Sequence, residues 1–277
     1  MSAQLFTTTD SHRCKIVRTV LKKEGISFTE ENTSEGGKTA FQAFYKENAA
    51  QLIQGKAGVE FPILAMDKGI YQGVGPILAM AMAPKLLFHG FVTRAVADPG
   101  WVRGLNLVSA DCDLLECFFD LMARLNAHGL KVNLATQGRH SGFLGRLLDR
   151  NYIAHLEFQL LGPPPLYRAI TGMGLPKPEL EQSLAMAPRA GATTLMIPIS
   201  PLVDNGGRLR FLTPKEAGQA AALAAAATGG RDLPCHIRPV DPPKDSDLPP
   251  LSQAELSAHV TEVRHHLYQA KLEQNTP

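Results

Sequence analysis

The chain has 277 residues, 44% of them hydrophobic and 19% charged, which is typical of a soluble globular protein with one large or two ordinary domains. Its formal net charge is only +2 and is spread along the sequence, which excludes the concentrated basic face of nucleic-acid-binding proteins. No apolar run approaches the roughly 20 residues of a membrane span, and no signal peptide opens the chain. The four cysteines are scattered, which predicts a reducing compartment. We therefore expect a cytoplasmic protein without nucleic-acid or membrane partners.

The first predicted domain covers residues 1–83. Its pattern of apolar residues, glycines and turn residues predicts a strand, two helices, a hairpin and a last short helix. The hairpin turns at Asp67-Lys68-Gly69. The predicted elements are a strand at 3–8, a helix at 12–24, an extended segment from 26, a helix at 38–53, the hairpin at 60–73 and a helix at 75–83.

A Pro- and Gly-containing stretch, 84–100, predicts a linker, and strands then alternate with helices, which indicates parallel βα units over 101–239. A Pro-rich linker and an amphipathic helix make up 240–277, and Ser252 with Glu255 predicts a capping box. Five strands are predicted, at 104–108, 130–136, 153–161, 193–200 and 233–239. The helices between and after them are predicted at 113–127, 141–150, 177–188, 214–227 and 252–271, with a loop after residue 200.

The segment around Cys14 resembles glutaredoxins and the related redoxins that reduce ribonucleotide reductase. Like them, it places a cysteine in the first turn of the helix after the first strand. The resemblance spans about 80 residues, implies a thioredoxin fold, and implies a cis-proline at Pro62 that faces the cysteine. The matching segments are Cys14-Lys15-Ile16-Val17-Arg18, KKEGI at 22–26, Val59-Glu60-Phe61-Pro62 and Tyr71-Gln72-Gly73-Val74-Gly75-Pro76.

The redox motif of this family is C-x-x-C, and here Ser11 stands at the position of the first, nucleophilic cysteine while Cys14 stands at the second. A serine hydroxyl cannot replace a thiolate in disulfide exchange. Two alternatives stay open. Cys14 is a reactive single thiol whose thiolate His12 and Arg13 stabilise, or it is a remnant in a binding domain in which Ser11 or Asp10 caps the helix.

In the same family, backbone near the cis-proline and the following glycine turn binds glutathione, and such recognition can outlast loss of the nucleophile. The resemblance thus implies a glutathione or peptide groove, although Pro62 could also only shape a turn. Glutathione is the one ligand it offers, and we otherwise expect no cofactor. The groove candidates are Ser11, His12, Arg13, Phe61, Pro62, Gly73 and Val74.

Residues from 101 onward resemble the later strands of activating enzymes of glycyl-radical proteins, which use S-adenosylmethionine and an iron–sulfur cluster. The matching segments are Leu107-Val108-Ser109-Ala110-Asp111, 128–138, 157–172 and 196–205. The cluster motif C-x3-C-x2-C of that family is absent, and its S-G-G-E turn reads Ser109-Ala110-Asp111-Cys112. We therefore expect no iron–sulfur cluster and no metal site.

The carboxyl ends of parallel strands meet at one edge of a sheet or barrel, where pockets form. Polar residues at these ends predict a binding cleft, with helix capping as the alternative role. The candidates are Ser109, Asp111, Thr136, Gln137, Gln159 and Ser200.

Together these patterns predict an α/β protein, a thioredoxin-fold domain followed by a partial, five-stranded parallel βα barrel. The favoured function is that of a non-catalytic or degenerate accessory protein with a protein partner, such as a glycyl-radical enzyme or ribonucleotide reductase. The alternative is a thiol oxidoreductase that uses Cys14 alone. A third interpretation is an unrelated barrel-type enzyme that uses the strand-end cleft. The oligomeric state is left open.

Overall fold

The computed structural model describes residues 3–55, 58–87, 89, 91–92, 97–98, 101–107, 112–204 and 206–273. The chain divides into two compact units, residues 1–134 and 135–277. The predicted domain bounds, with a linker at 84–100, stay a prediction.

The first unit begins with a strand and a helix, as the sequence predicts, and ends within a strand that crosses the division. Short 3-10 turns follow two of its helices and precede a third. Its elements are β1 (Gln4–Thr7), α1 (His12–Lys23), β2 (Thr29–Asn32), α2 (Lys38–Asn48), β3 (Gln54–Gly55), β4 (Gly58–Val59), β5 (Ile63–Met66), β6 (Gly69–Gln72), α3 (Val74–Met82), β7 (Ala97–Asp98), β8 (Trp101–Leu107), α4 (Leu115–Ala127) and β9 (Lys131–Thr136).

Four strands of the first unit form a mixed sheet in the order β2-β1-β5-β6. Strand β1 runs parallel to β2 and antiparallel to β5, and β5 pairs with β6 through the predicted hairpin. The predicted order of helices and strands is therefore confirmed in this part of the chain. The predicted helix at 38–53 is shorter: α2 ends at Asn48, and a 3-10 turn, Ala49–Gln51, follows it.

One face of the mixed sheet carries an aromatic cluster. Phe6 of β1 stacks on Phe44 of α2, with ring centroids 4.6 Å apart, and lies 5.6 Å from Phe41. The ring of Phe61 lies 5.1 Å from that of Phe41, so the residue before Pro62 is held by this cluster. Helix α3 contains no charged residue and packs against α1, β8 and α4, which buries Val74 and Ile77 to 0% exposure.

The second unit alternates helices and strands. It contains the predicted helix at 177–188 as an α-helix that ends at Met186 and continues in a 3-10 turn. Its elements are α5 (Ser141–Asp149), β10 (Ile153–Gln159), α6 (Tyr167–Thr171), α7 (Lys177–Met186), β11 (Thr193–Ile199), β12 (Pro201–Val203), β13 (Leu209–Phe211), α8 (Pro214–Thr228), β14 (Cys235–Pro239), α9 (Gln253–Arg264) and β15 (Ala270–Leu272).

Within the second unit, β10, β11, β14 and β15 pair in this order, and every pair is parallel. The five predicted strands are present as β8, β9, β10, β11 and β14. The predicted α/β class, with a mixed sheet first and parallel βα strands after it, is confirmed.

Two predictions in the second unit are wrong. The helix predicted at 252–271 ends at Arg264, and residues 270–272 form β15 because they pair with the edge of β14. The segment predicted as a loop after residue 200 forms the antiparallel hairpin β12–β13. The Asp204 side chain closes this hairpin by accepting hydrogen bonds from the backbone amides of Gly206 and Arg208. The Ser252–Glu255 capping box of α9 is confirmed.

In the described ranges, no helix combines the length and the apolar character that a bilayer crossing requires.

Candidate functional site

The first turn of α1 presents the candidate redox residues. Ser11 is the N-cap: its Oγ accepts a hydrogen bond from the Cys14 amide at 3.3 Å, and its carbonyl accepts one from the Lys15 amide at 3.0 Å. Asp10 precedes the cap with φ of 58°. Of the two capping residues left open by the sequence, Ser11 holds the position. Its hydroxyl is therefore engaged with one of the helix amides that otherwise lack partners.

Cys14 lies on the inward side of this turn and is 1% exposed. His12 is exposed and Arg13 is half-buried, so positive charge lies at the helix end, on the solvent side. A thiolate needs solvent access as well as nearby positive charge to act as a nucleophile. Cys14 is therefore buried, whereas the two cationic residues before it are at least partly accessible to solvent.

The candidate glutathione residues of the hairpin lie where β5 begins and β6 ends. The Phe61–Pro62 peptide bond is cis, as the resemblance implies. The Gly73 amide donates a hydrogen bond to the Pro62 carbonyl at 2.8 Å, which joins the two candidates. Gly73 has φ of 88° as the N-cap of α3, and Val74 after it has 0% exposure. In the described part of the chain, no hydrogen bond or ring contact joins this pair to Ser11 or Cys14.

Gln72 is a residue of this region that the sequence analysis missed. It is 7% exposed, and its side-chain amide forms hydrogen bonds with backbone groups, as a neighbouring strand would. Its Oε1 accepts from the Ile53 amide at 2.6 Å, and its Nε2 donates to the carbonyls of Ile53 and Glu60 at 2.8 and 2.9 Å. These bonds hold the segment that leads into Phe61–Pro62. The only signal for it in the sequence was a polar residue at the end of the predicted hairpin.

Of the strand-end candidates, Ser109 and Asp111 lie outside the described residues. Thr136 has 0% exposure, and its Oγ1 accepts from the Gly138 amide at 3.2 Å, within its own loop. The Gly138 carbonyl accepts from Ser183 Oγ at 2.8 Å. Hydrogen bonds within the loop and with α7 thus hold its backbone in place. The side chain of Gln137 in this loop is half-buried.

Gln159 is the last residue of β10, Ser200 follows the neighbouring strand β11, and both are half-buried. Gln159 Nε2 donates to Glu157 Oε1 at 2.8 Å, so its amide is directed back along β10. The Ser200 carbonyl accepts from the Leu212 amide at 3.1 Å, which anchors the hairpin β12–β13. No hydrogen bond among the described residues joins Gln159 to Ser200.

A larger polar surface covers one face of the second unit's parallel sheet. Successive residues of a strand point to opposite faces, and the alternating members of β10, β11 and β14 are apolar and buried on one side. Phe158, for example, lies near Leu180 of α7 around Gly138. The members that point to the other side are mostly polar and half-buried, and we call them the polar sheet face: His155, Glu157, Gln159, Thr194, His236 and Arg238.

Strand register places these side chains next to one another. Glu157 lies beside Thr194, and His236 lies beside Met196. His155 Nε2 lies 2.9 Å from Thr194 Oγ1. Arg238 forms an ion pair with Glu273, in which Nη2 donates to Oε1 at 2.9 Å.

The ion pair at the end of this face stabilises both of its charges. The hydrogen bond with Glu273 raises the pKa of the Arg238 guanidinium, and the same bond lowers the pKa of the Glu273 carboxyl. The polar sheet face therefore carries fixed charges of both signs beside neutral hydrogen-bonding groups.

The sequence contains a signal for this face that strand-end reasoning passed over. Parallel strands covered on both faces usually form near-continuous apolar runs. In β10, however, polar residues stand at every second position from His155 to Gln159, and in β14 His236 and Arg238 alternate with apolar residues. This alternation indicates a sheet face that is not packed against an apolar layer.

Among the described residues, no group of three or more His, Cys, Asp or Glu side chains is placed to hold a metal ion. Cys14, Cys117 and Cys235 are free thiols. Burial raises the pKa of the Cys235 thiol to about 12, so it stays protonated at neutral pH.

Comparison with known proteins yields one distant likeness. No family model matches the chain, and no curated protein matches it. Among solved structures, it is similar to the crystal structure of a domain of pyruvate-formate lyase-activating enzyme from Bacteroides vulgatus ATCC 8482, at 12% identity and a TM-score of 0.44. The match covers 61% of this chain and 98% of that domain. A likeness at this level does not establish a shared activity, and the glutaredoxin resemblance of residues 1–83 stays a prediction.

Proposed function

We propose that the chain is a non-catalytic interaction protein with a glutaredoxin-plus-activase architecture, in which neither ancestral chemistry operates. The burial of Cys14 carries this proposal. Cys14 is 1% exposed, and Ser11, at the position of the family's nucleophile, serves as the helix cap. Disulfide exchange needs an accessible thiolate, and neither residue supplies one.

The competing proposal is a thiol oxidoreductase that uses Cys14 alone, and the cationic residues at the same helix end favour it. A glutathione-disulfide turnover assay compares the full chain with Cys14→Ser. We expect equal, background rates from both proteins. Turnover by the wild-type chain that Cys14→Ser abolishes would overturn the proposal.

Ser11→Cys tests whether the scaffold itself is still suited to redox chemistry. Position 11 is half-buried at the helix N-terminus, where unpaired amides and the helix dipole stabilise a thiolate. We expect the thiol that Ser11→Cys introduces to be alkylated at least tenfold faster than Cys14 in the same molecule. Equal rates would mean that the α1 turn does not have the assumed accessibility.

For the interaction itself, we propose the polar sheet face as the binding surface, with a protein partner of the glycyl-radical enzyme or ribonucleotide reductase class. Half-buried polar side chains with fixed charges suit a polar partner surface. Tagged wild-type protein and Glu157→Lys are purified from the native cell, with Glu181→Lys on the exposed side of α7 as the matched control. We expect a stoichiometric partner of that class with wild type and control, and its loss with Glu157→Lys. Recovery of the same partner with all three proteins would refute the assignment of this face.

A further inference from the structure

His259, in the middle of α9, has an arrangement of hydrogen bonds that its neutral ring cannot satisfy. The residue is 2% exposed. Its Nδ1 lies 2.7 Å from the Glu255 carbonyl oxygen, one turn earlier in the same helix. Its Nε2 lies 2.7 Å from the Leu212 carbonyl oxygen, between β13 and α8. Both ring nitrogens thus face backbone oxygens that can only accept.

A neutral imidazole carries one N–H and one bare lone pair, whereas the imidazolium cation carries two N–H donors. With two carbonyl oxygens as partners, the neutral ring would direct a lone pair at one of them from 2.7 Å. The cation satisfies both contacts. We infer that His259 is held as the imidazolium in the folded chain. The added proton of the imidazolium then holds α9 and the following strand β15 against the rest of the second unit, and we call this pH-sensitive contact the latch.

The charges around His259 favour a cation. Glu255 and Glu262 lie one turn before and after it on α9. Hydrogen bonds from Ser252 lower the pKa of the Glu255 carboxyl, and the charge of His259 acts in the same direction. Two cations on neighbouring strands are engaged in ion pairs, because Arg210 of β13 pairs with Glu216 and Arg238 of β14 pairs with Glu273. The charged or titratable groups on α9 and on the elements around it are Glu255, Glu262, Arg264 and His265; Lys215 and Glu216 of α8; Arg210 of β13; Cys235, His236 and Arg238 of β14; and Lys271 of β15 with Glu273 after it.

The latch holds a defined segment. Helix α9 packs closely on α8, because a Cβ added at Gly218 would lie 2.7 Å from Glu262 Cγ. Beyond α9, Arg264 Nε donates to the Ala270 carbonyl at 2.8 Å, and β15 pairs with β14. Loss of the His259 proton removes one of the bonds that tie α9 to the rest of the unit. The docked segment binds this proton more tightly than the undocked one, so docking is strongest at low pH and weakens as the pH rises.

Nitrogen-15 NMR of the full chain detects the protonation of the ring directly. At about pH 7 we expect both ring nitrogens of His259 to carry protons. A His259 ring with one bare nitrogen at that pH would overturn the inference. This measurement uses the wild-type chain, so it does not depend on whether a variant folds.

Hydrogen exchange then tests the consequence for α9. Relative to α7, the protection of α9 amides in the wild type is expected to fall by up to about tenfold for each pH unit over the range in which the undocked segment has lost the proton and the docked segment still holds it. His259→Gln should show lower protection that no longer depends on pH, and the matched control His265→Gln should follow the wild type. The same pH dependence in His259→Gln and the wild type would contradict the latch.

Discussion

The hydroxyl of Ser11 accepts a hydrogen bond from the backbone amide of Cys14 at 3.3 Å. In a redoxin these two positions would both carry thiols. Here Ser11 is the helix N-cap, and Cys14 supplies the backbone amide that it caps. This bond stabilises the start of α1, and Cys14 in the same turn is buried. The same geometry supports the proposal that no thiol chemistry operates at this turn.

Ser11→Ala is expected to lower the free energy of unfolding by ~1 kcal/mol, because it deletes the N-cap acceptor of α1. The midpoint of urea unfolding measures the effect. Ser27→Ala, at an exposed position after the same helix, is the matched control and should change stability by less than ~0.5 kcal/mol. An unchanged midpoint for Ser11→Ala would show that the cap does not contribute to the free energy of unfolding.

Gly138→Ala is expected to destabilise the second unit by about 2–4 kcal/mol, because strain and overpacking combine. Its φ is +86°, and an added Cβ would lie 2.7 Å from Leu180 Cδ1 and 3.0 Å from Phe158 Cζ. Gly172→Ala is the matched control: its φ is +75°, but its Cβ would meet open space. It should lose only the ~1 kcal/mol of the left-handed backbone. Equal losses of stability for the two variants in thermal unfolding would mean that the side chains around Gly138 can move to accommodate the added methyl group.

Glu216 makes the stability of the chain depend on pH in the acid range. Its hydrogen bonds with Arg210 lower the pKa of the carboxyl from 4.5 to about 2, against the opposing effect of burial. Because the folded pKa lies below the unfolded one, this contribution is complete above pH 4.5 and is lost as the pH falls towards 2.

Glu216→Gln should therefore be less stable than wild type at about pH 6, and the difference should shrink between pH 4.5 and 2. The shift sets an upper bound of ~3 kcal/mol, reduced because both side chains are partly exposed. Glu181→Gln, on an exposed side chain, is the control and should follow the wild type. A difference that stays constant over this pH range would contradict the assigned pKa.

Cys235 should resist alkylation in the native chain even at about pH 9. Burial raises the pKa of its thiol to about 12, against an ordinary value of 9.0, so roughly 500-fold less thiolate is present. Mass spectrometry after iodoacetamide treatment compares it with half-buried Cys117 in the same molecules. Modification of Cys235 at the rate of Cys117 would show that the strand β14 opens readily.

Local signals in the sequence were sufficient for most of the fold. The hairpin at Asp67-Lys68-Gly69, the cap at Ser252 and the strand at Thr193–Ile199 each follow from a turn, a capping residue or a β-branched run. The end of α9 could not be found in this way, because no glycine or proline follows Arg264 closely. Pairing of Ala270–Leu272 with β14 is a tertiary contact that overrides local helix propensity.

The candidate sites were harder to predict than the fold. Sequence spacing placed Cys14 in the first turn of a helix but could not show that its sulfur lies inward, which depends on packing against α3. Strand-end reasoning selected Gln159, whereas its amide binds Glu157 in the same strand and belongs to the polar sheet face. The alternation of polar residues in β10 and β14 was visible, but its meaning depends on which face the helices cover.

Glutathionylation of Cys14 tests the central claim most directly. The native chain is incubated with oxidised glutathione and analysed by peptide mass spectrometry, beside a sample unfolded in urea. We predict that Cys14 stays unmodified in the native chain and is modified only after unfolding, because the residue is 1% exposed. Rapid formation of a mixed disulfide at Cys14 in the native chain would contradict the account and identify a working single-cysteine redox site.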